Sequence, residues 1–313
     1  TEGRKGQKIS CYGELHQVGV KALSDDGNAV MNSRVMRLAF EYASTYNLLI
    51  IQHCEDEGLS GDGIMNEGYY SSLLGLRGIP KVSEPVILSR DLDLLKYLLE
   101  IKGLSLTGKP RYHAAHLSTK ASIELMHEAK KNGLPVTCEV APHHFTLTEK
   151  DLFESGYNGN FVMKPALTTE SDREAILEGL QDGTIDAIAT DHAPHAPHEK
   201  DCDLSHAAFG IVGLETSVGL VFTELVGKNR ISAYRAIEML SSAPRKILGL
   251  PPIEISAGKR ANLTLIDPSL EWTVDPSAFK SKSHNTPFTN RRLKGKAVGI
   301  FNKGRMSLDP ERF

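Results

Sequence analysis

Short apolar runs alternate with longer amphipathic segments over the first 250 residues of the chain. The runs predict five strands, at Val18–Leu23, Leu48–Gln52, Tyr112–Ala115, Pro135–Val140 and Ile185–Ala189. The longer segments have one apolar face, which is typical of helices packed on a core. They predict helices at Ser33–Tyr46, Ser83–Lys102, Thr119–Asn132 and Glu170–Gln181. Strands that alternate with helices favour a parallel sheet covered by helices, an α/β fold.

Residues at the ends of these segments are consistent with helices. Ser33, Ser83 and Thr119 are predicted N-caps, because a hydroxyl oxygen can accept a hydrogen bond from a free N–H group of the first turn. Pro85 lies in the first turn of its helix, where proline removes no helical hydrogen bond. Gly133 is expected to end the helix that begins at Thr119.

The pattern changes near Leu250. Pro251 and Pro252 interrupt the chain, and the residues beyond them predict short strands joined by Gly and Pro turns. These strands are expected at Ile253–Ile266, Glu271–Val274 and Leu293–Arg305. We therefore divide the chain into an α/β domain over residues 1–250 and a small β segment over residues 251–313.

Composition narrows the class of protein. The 313 residues include 36 Lys and Arg and 39 Asp and Glu, with a formal net charge of -3, and no basic block suggests a nucleic-acid partner. The apolar runs are too short to span a membrane. The four cysteines lack CxxC spacing, which argues against a disulfide framework. We expect a cytoplasmic protein.

Chemically active residues follow the ends of several predicted strands. Asp26, His53, His116 and Asp191 each lie at or just beyond the carboxyl end of a strand, where parallel α/β folds carry their chemistry. Imidazole nitrogens and carboxylate oxygens are ligands for zinc or a similar divalent ion. A single histidine in such a place has a structural role more often than a metal-binding one. The recurrence at different strands favours a metal site.

Other histidines give weaker signals. His192, His195 and His198 recur at intervals of three, but Pro194 and Pro197 favour a loop over a helix there. His143 and His144 follow Pro142 in a connection between a strand and a helix, and a structural or a functional role is open for them.

With these motifs in view, the chain resembles dihydroorotases of the bacterial class I type, in the cyclic amidohydrolase superfamily. The resemblance extends from Gly13 to Gly304. It is carried by Ser24–Gly27, Gln52–Asp56, Ala115–Thr119, Ala141–His144, Asp182–His195, Phe209–Thr216 and Ser283–Phe288. It implies a metal-dependent (β/α)₈ barrel of the TIM type that interconverts dihydroorotate and N-carbamoyl-L-aspartate in pyrimidine biosynthesis.

The resemblance also implies roles for the strand-end residues. Asp26 would bridge two zinc ions, in a place where many relatives use a carboxylated lysine. His53 and His116 would bind the second metal. Asp191 would be both a ligand of the first metal and the general acid and base. The resemblance leaves open whether one zinc ion or two are bound.

The implied substrate contacts lie further along the chain. His195 would hold the substrate carboxylate, and the backbone at Phe209 and Gly210 would close around the ring. The family usually has Asn-Pro-Pro-Leu-Arg where this chain has Lys164-Pro165-Ala166-Leu167-Thr168, so Lys164 replaces a substrate-binding Asn and Thr168 an Arg.

A second departure concerns the start of the barrel. Members of the family carry a His-x-His pair on the first strand, and this sequence contains none. The resemblance places Thr1 near the end of the third strand. We therefore expect a truncated barrel with strands 4–8. Its missing N-terminal segment would be supplied by a complementary fragment, or would have been removed by cleavage of a longer parent protein.

A different class of function remains as an alternative. The chain would then be a non-catalytic, dihydroorotase-like subunit that scaffolds aspartate transcarbamoylase. The lost His-x-His pair, Lys164 and Thr168 favour it, whereas the four strand-end ligands favour the enzyme, because a scaffold has no need of them. A homodimer is expected for the enzyme.

Overall fold

The structure, a computed structural model, describes residues 1–101 and 108–310. Among these residues the fold is built on ten strands. The strands are β1 (Ala22–Leu23), β2 (Leu49–Gln52), β3 (Met65–Asn66), β4 (Gly78–Ile79), β5 (Arg111–Ala114), β6 (Val136–Val140), β7 (Ala187–Ile188), β8 (Leu263–Thr273), β9 (Arg292–Asn302) and β10 (Arg305–Leu308).

Five of these strands form one parallel sheet in the order β1-β2-β5-β6-β7. The order follows the chain, as in successive right-handed strand–helix–strand units. In the register, Ala22 pairs with Leu49, Leu49 pairs with Arg111 and Tyr112 pairs with Val136. All five carboxyl ends therefore lie along one edge of the sheet, which confirms the predicted parallel α/β arrangement.

Helices occupy most of the connections between these strands. They are α1 (Tyr12–Gln17), α2 (Ser33–Thr45), α3 (Glu57–Ser60), α4 (Tyr69–Leu74), α5 (Ser83–Glu100), α6 (Lys120–Lys131), α7 (Pro142–Thr146), α8 (Glu149–Glu154), α9 (Glu170–Asp182), α10 (Pro197–Lys200), α11 (Ser217–Leu220), α12 (Ala233–Ile237) and α13 (Ala243–Ile247). Their apolar faces and the sheet enclose one core that contains Phe40, Leu88, Tyr112 and Met126. Within the described ranges, every helix is too short or too polar to cross a lipid bilayer.

The predicted helices occur, with corrections at their ends. Thr119 is the N-cap of α6, where its hydroxyl accepts from Ser122 N–H, and Gly133 follows that helix with φ +75°. Ser33 is not an N-cap, because the Asn32 side chain takes that place one residue earlier. Ser83 is also the first residue of its helix rather than the cap. The predicted end of that helix, Lys102, lies outside the described residues.

The first predicted strand is shorter than expected. Only Ala22–Leu23 pairs with β2, whereas Val18 follows α1 directly and its N–H bonds to Glu14 O. Val18 is 81% exposed, so the apolar residues at the start of this run do not all enter the core. The run therefore joins the end of a helix to a two-residue strand.

The C-terminal strands β8, β9 and β10 form an antiparallel sheet. Residues 253–262, predicted to start a strand, are not strand in the structure, and β8 begins at Leu263. Glu271–Val274 is not a separate strand either: β8 continues to Thr273 across a register shift between Asp267 and Glu271. Trp272, Val274 and Leu293 of this region pack with Leu147 and Met163 of the α/β domain.

Candidate active site

Three of the four strand-end residues meet at the carboxyl edge of the sheet. Asp26, His53 and His116 follow β1, β2 and β5, and one ligand atom from each lies within 4.8 Å of the others. His116 Nε2 is 3.1 Å from both Asp26 Oδ1 and His53 Nδ1, and His53 Nδ1 is 3.8 Å from Asp26 Oδ1. Adjacent parallel strands thus aim three donor atoms at one point.

The electrostatics of this group are unusual. The hydrogen bond with His116 lowers the pKa of Asp26 to about 2, against the effect of burial. Burial also disfavours the charged form of His116, but the hydrogen bond to Asp26 and the charges of Asp191, Asp26 and Glu139 raise its pKa to about 9. The two side chains therefore form a hydrogen bond between groups of opposite charge.

The chemistry of this donor set fits a divalent metal ion. Two imidazole nitrogens and one carboxylate oxygen lie within 3.8 Å of one another, as the ligands of a single metal ion do. One carboxylate and two imidazoles are a common ligand set for zinc. The residues present therefore fit the metal that the resemblance implies.

A carboxylate and a lysine support His53 from behind. Glu55 Oε2 lies 3.2 Å from His53 Nε2, the ring nitrogen that faces away from the group, and Lys164 Nζ lies 2.9 Å from Glu55 Oε1. Burial would raise the pKa of Glu55, but His53, Ser60 and Lys164 lower it to about 2. A carboxylate in this position fixes the ring orientation and increases the basicity of the imidazole. Glu55 was not predicted to be a site residue, although it lies in the same motif as His53.

Asp191 lies at the end of β7 and is close enough to the group to interact electrostatically with His116, Asp26 and His53. Burial raises its pKa, and the charge of Asp26 adds to this effect. Its φ of +47° and the φ of +30° at His116 are left-handed backbone conformations that side chains other than glycine rarely adopt. Such strain is concentrated at functional sites. Asp191 is not among the three residues whose donor atoms converge within 4.8 Å.

His143 and His144 are both buried in α7. His144 Nε2 lies 3.0 Å from Pro165 O, an interaction that fixes its ring. His143 Nε2 lies 3.8 Å from Asp191 Oδ2 and has no hydrogen-bond partner among the described residues. Burial lowers the pKa of His143 well below its usual range, so the ring is neutral.

The predicted substrate residues lie on one connected loop system. His195 Nε2 lies 2.7 Å from Phe209 O, and His195 N–H donates to Asn285 Oδ1. Gly210 has φ +109°, and a Cβ there would lie 2.4 Å from the Cβ of Ala193, so no larger residue fits. The structure therefore brings together His195, Phe209 and Gly210. Lys164 Nζ lies 5.7 Å from the centre of the Phe209 ring.

Two residues of this loop system were not predicted. Asn285 Nδ2 donates to Ala193 O and Gly210 O, and Lys200 Nζ donates to backbone carbonyls on both sides of the loop. The sequence signal for Asn285 was its place in the Ser283–Phe288 motif. For Lys200 the only signal was a lysine five residues after His195.

Comparisons with known proteins identify the family of the chain. The model of the amidohydrolase family matches residues 14–306. A dihydroorotase from Chlorobaculum tepidum is 55% identical over 98% of this chain and 70% of its own length, and one from Pelotomaculum thermopropionicum is 46% identical over 94% and 66%. The chain thus spans about two thirds of the length of these relatives.

Solved structures with the same fold include hydantoinases and dihydropyrimidinases. An L-hydantoinase (dihydropyrimidinase) from Arthrobacter aurescens superposes with a TM-score of 0.79 at 24% identity, covering 95% of this chain and 66% of the other. A dihydropyrimidinase from Brevibacillus agri gives 0.78 at 18% identity, covering 94% and 65%. At this level of identity the likeness is one of fold. The family match and the identity to the relatives establish that the chain belongs to the amidohydrolase family, among the dihydroorotases.

Proposed function

We propose that the protein is a dihydroorotase that hydrolyses the cyclic amide of dihydroorotate to N-carbamoyl-L-aspartate and catalyses the reverse ring closure in pyrimidine biosynthesis. The observation that carries this proposal is the convergence of Asp26, His53 and His116 at the ends of three neighbouring parallel strands. The substrate is inferred from the relatives, which are dihydroorotases. A non-catalytic scaffold is not favoured, since it would gain nothing from this group.

We propose zinc as the metal, held by Asp26, His53, His116 and Asp191, as one ion or as two. When bound, a zinc ion lowers the pKa of a water molecule to about 7 and polarises a carbonyl group. The chain's own contribution is to hold the ligands in place: Glu55 orients His53, and the neighbouring strand ends bring Asp26 and His116 beside it.

Asp191 is the proposed proton carrier. Ring opening adds water across the amide bond: the carbon–nitrogen bond breaks, oxygen bonds to the carbonyl carbon, and the nitrogen takes up a proton. Asp191 would accept the proton from water and deliver it to that nitrogen, because burial raises its pKa towards the working range of a general acid and base. Neutral His143, beside its carboxylate, cannot compete as a proton source.

His195, Phe209 and Gly210 are the proposed substrate residues. His195 would donate to the substrate carboxylate, and the backbone of Phe209 and Gly210 would lie against the ring. Lys164 is already engaged by Glu55, so its contact with the substrate would require that ion pair to loosen. These roles distinguish binding, on this loop system, from proton transfer at Asp191.

We also propose that the five strands belong to a (β/α)₈ barrel. The parallel sheet has free edges at β1 and β7 within the described residues, and further strands would pair with both. Such strands, from another segment or a complementary fragment, would supply a His-x-His pair close to Asp191. We also propose that the protein forms a homodimer, is cytoplasmic and associates with aspartate transcarbamoylase.

The test is a pair of variants in the metal-loaded protein. Asp191→Asn is expected to lower the turnover of dihydroorotate by about 10²- to 10⁴-fold, the usual contribution of general acid–base catalysis, without loss of the folded state. His53→Asn is expected to lower zinc content, measured by atomic emission. Normal turnover in Asp191→Asn would contradict the assignment, and unmodified protein that purifies without stoichiometric metal and does not take it up would favour the scaffold.

A further inference from the structure

Lys200 is a buried cation next to the loop system that carries the proposed substrate residues. It ends α10, and only 5% of its surface is exposed. Its Nζ donates to three backbone carbonyls: Val162 O at 3.1 Å, Ala208 O at 2.5 Å and Gly210 O at 3.0 Å. An ammonium group has three protons, so these three acceptors satisfy it completely.

Burying the charged ammonium group of Lys200 removes its hydration, which costs free energy. Burial lowers the pKa of Lys200 to about 8, so the group is still mostly protonated at neutral pH, but its charge is poorly solvated. Among the described residues its hydrogen-bond partners are carbonyl dipoles rather than a carboxylate. A buried charge without a counter-ion is weak as a source of stability, because an apolar side chain of similar size often does as well. The cost suggests a role in fixing geometry.

The three carbonyls belong to two segments that contribute to the site. Val162 lies two residues before Lys164, and Ala208 and Gly210 flank Phe209. Gly210 N–H also donates to Val162 O, so Lys200 clamps two segments that already touch. Phe209 O, between the two clamped carbonyls, is the acceptor that faces His195 Nε2. Moving the loop would therefore move both Phe209 and the ring of His195.

Asn285 provides a second, weaker clamp on the same carbonyl. Its Nδ2 donates to Gly210 O at 3.1 Å, and its Oδ1 accepts from His195 N–H at 3.2 Å. Asn285 is neutral and fixes one atom of the loop, whereas Lys200 is charged and fixes two. Hydrogen bonds from a charged donor are roughly twice as strong as those between neutral groups.

We propose that Lys200 is a positioning residue for substrate binding: its ammonium group fixes residues 208–210, the substrate-side loop, and through Phe209 it sets the position of His195. The part of this proposal that concerns substrate rests on the proposed dihydroorotase function. The part that concerns the loop does not. The three hydrogen bonds that Lys200 Nζ donates all go to backbone carbonyls and, among the described residues, none goes to a proposed metal ligand, Asp191 included, so its removal should change substrate binding more than the chemical step.

Lys200→Met tests the proposal, since methionine retains much of the stem and removes the ammonium group. We expect the KM for dihydroorotate to rise about 10- to 100-fold, the effect of losing hydrogen bonds from a charged group. We expect kcat to change less than threefold and zinc content to stay the same. The matched control is Lys150→Met, which removes an exposed lysine of α8 that pairs with Glu154. An unchanged KM, or a fall in kcat alone, would overturn the positioning role.

A second measurement does not depend on activity. In metal-free protein without substrate, hydrogen–deuterium exchange at the amide of Gly210 should be at least tenfold faster in Lys200→Met than in the unmodified protein and in Lys150→Met. If Lys200→Met fails to fold, Lys200→Arg replaces it, because a planar guanidinium cannot reach all three carbonyls with the same geometry. Unchanged exchange in the folded variant refutes the clamp. If exchange accelerates but the unmodified protein does not hydrolyse dihydroorotate, the clamp stands and the proposed function fails.

Discussion

Two segments at the carboxyl edge of the sheet are each held by one buried charged side chain, and the two charges have opposite signs. Residues 115–119, the metal-side turn, follow β5 and carry His116. Glu84 of α5 accepts four hydrogen bonds there, from the N–H and the hydroxyl groups of Ser118 and Thr119, at 2.6 to 3.0 Å. The substrate-side loop is held by Lys200, which donates to carbonyls. One segment therefore requires an anion and the other a cation.

The difference follows from which backbone groups each segment leaves unpaired. The metal-side turn leads into α6, and the first N–H groups of a helix have no partner within it. A carboxylate suits such donors and the positive end of the helix dipole. The substrate-side loop turns through Gly210 at φ +109° and leaves carbonyl oxygens directed inward, where only a donor can satisfy them. The backbone direction thus determines the sign of the buried charge.

The largest effect should come from removing the anion. Glu84→Ala would leave three buried donors without an acceptor and the Thr119 hydroxyl with Ser122 Oγ alone, and we expect the free energy of unfolding to fall by about 3 to 5 kcal/mol, as for other broken buried charge networks. Urea denaturation measures it. Glu124→Ala, on the exposed face of α6, is the matched control and should change the value by less than about 0.5 kcal/mol. A loss below about 1 kcal/mol in Glu84→Ala would show that water can replace the carboxylate.

A second variant separates holding the fold from holding the metal. Glu55→Gln keeps the shape of the side chain that faces His53 Nε2 but removes its charge, and we expect zinc affinity to fall about 10- to 100-fold. Competition with a chromophoric chelator measures this affinity. Lys200→Met, on the other side of the site, should leave it unchanged. Equal losses in both variants would mean that the two sides are not independent.

The sequence predicted the parts of the fold whose signals are local. Periodicity located β2, β5 and β6 to within a residue or two, and Thr119 is the cap of α6. The first strand was overextended because the apolar residue Val18 lies at a helix end, exposed to solvent. The break predicted before Glu271 was wrong because a register shift lets one strand continue past Pro268.

The site shows the same division. Asp26, His53 and His116 were predicted to lie together because each follows a strand, and parallel strands bring their carboxyl ends to one edge. Lys200 could not be found in this way. Its partners are backbone carbonyls, which every residue carries, and Val162 is 38 positions away in the chain. Residues that bind backbone leave no pattern of side chains to recognise.

The smallest expected effect is the pH dependence of the free energy of unfolding that Lys200 causes and Glu84 does not. The pKa of Lys200 is about 8 in the folded chain and that of a free lysine is 10.5. Between these values the unfolded chain binds a proton that the folded chain has released, so the free energy of unfolding should rise with pH relative to Lys200→Met. Below pH 8 both states hold the proton, and the difference between the proteins should be constant.

Urea denaturation of both proteins at pH 7.0, 8.0 and 9.5 measures this difference. Burial of the charged ammonium group destabilises the fold, and deprotonation removes this effect. The free energy of unfolding of the unmodified protein should therefore rise by about 1 to 2 kcal/mol relative to that of Lys200→Met between pH 8.0 and 9.5. Glu84→Ala retains Lys200. The difference in the free energy of unfolding between Glu84→Ala and the unmodified protein should therefore stay the same from pH 8.0 to 9.5. Parallel curves for the unmodified protein and Lys200→Met would mean that the three carbonyls compensate fully for the lost hydration. The cation would then hold its loop at no cost.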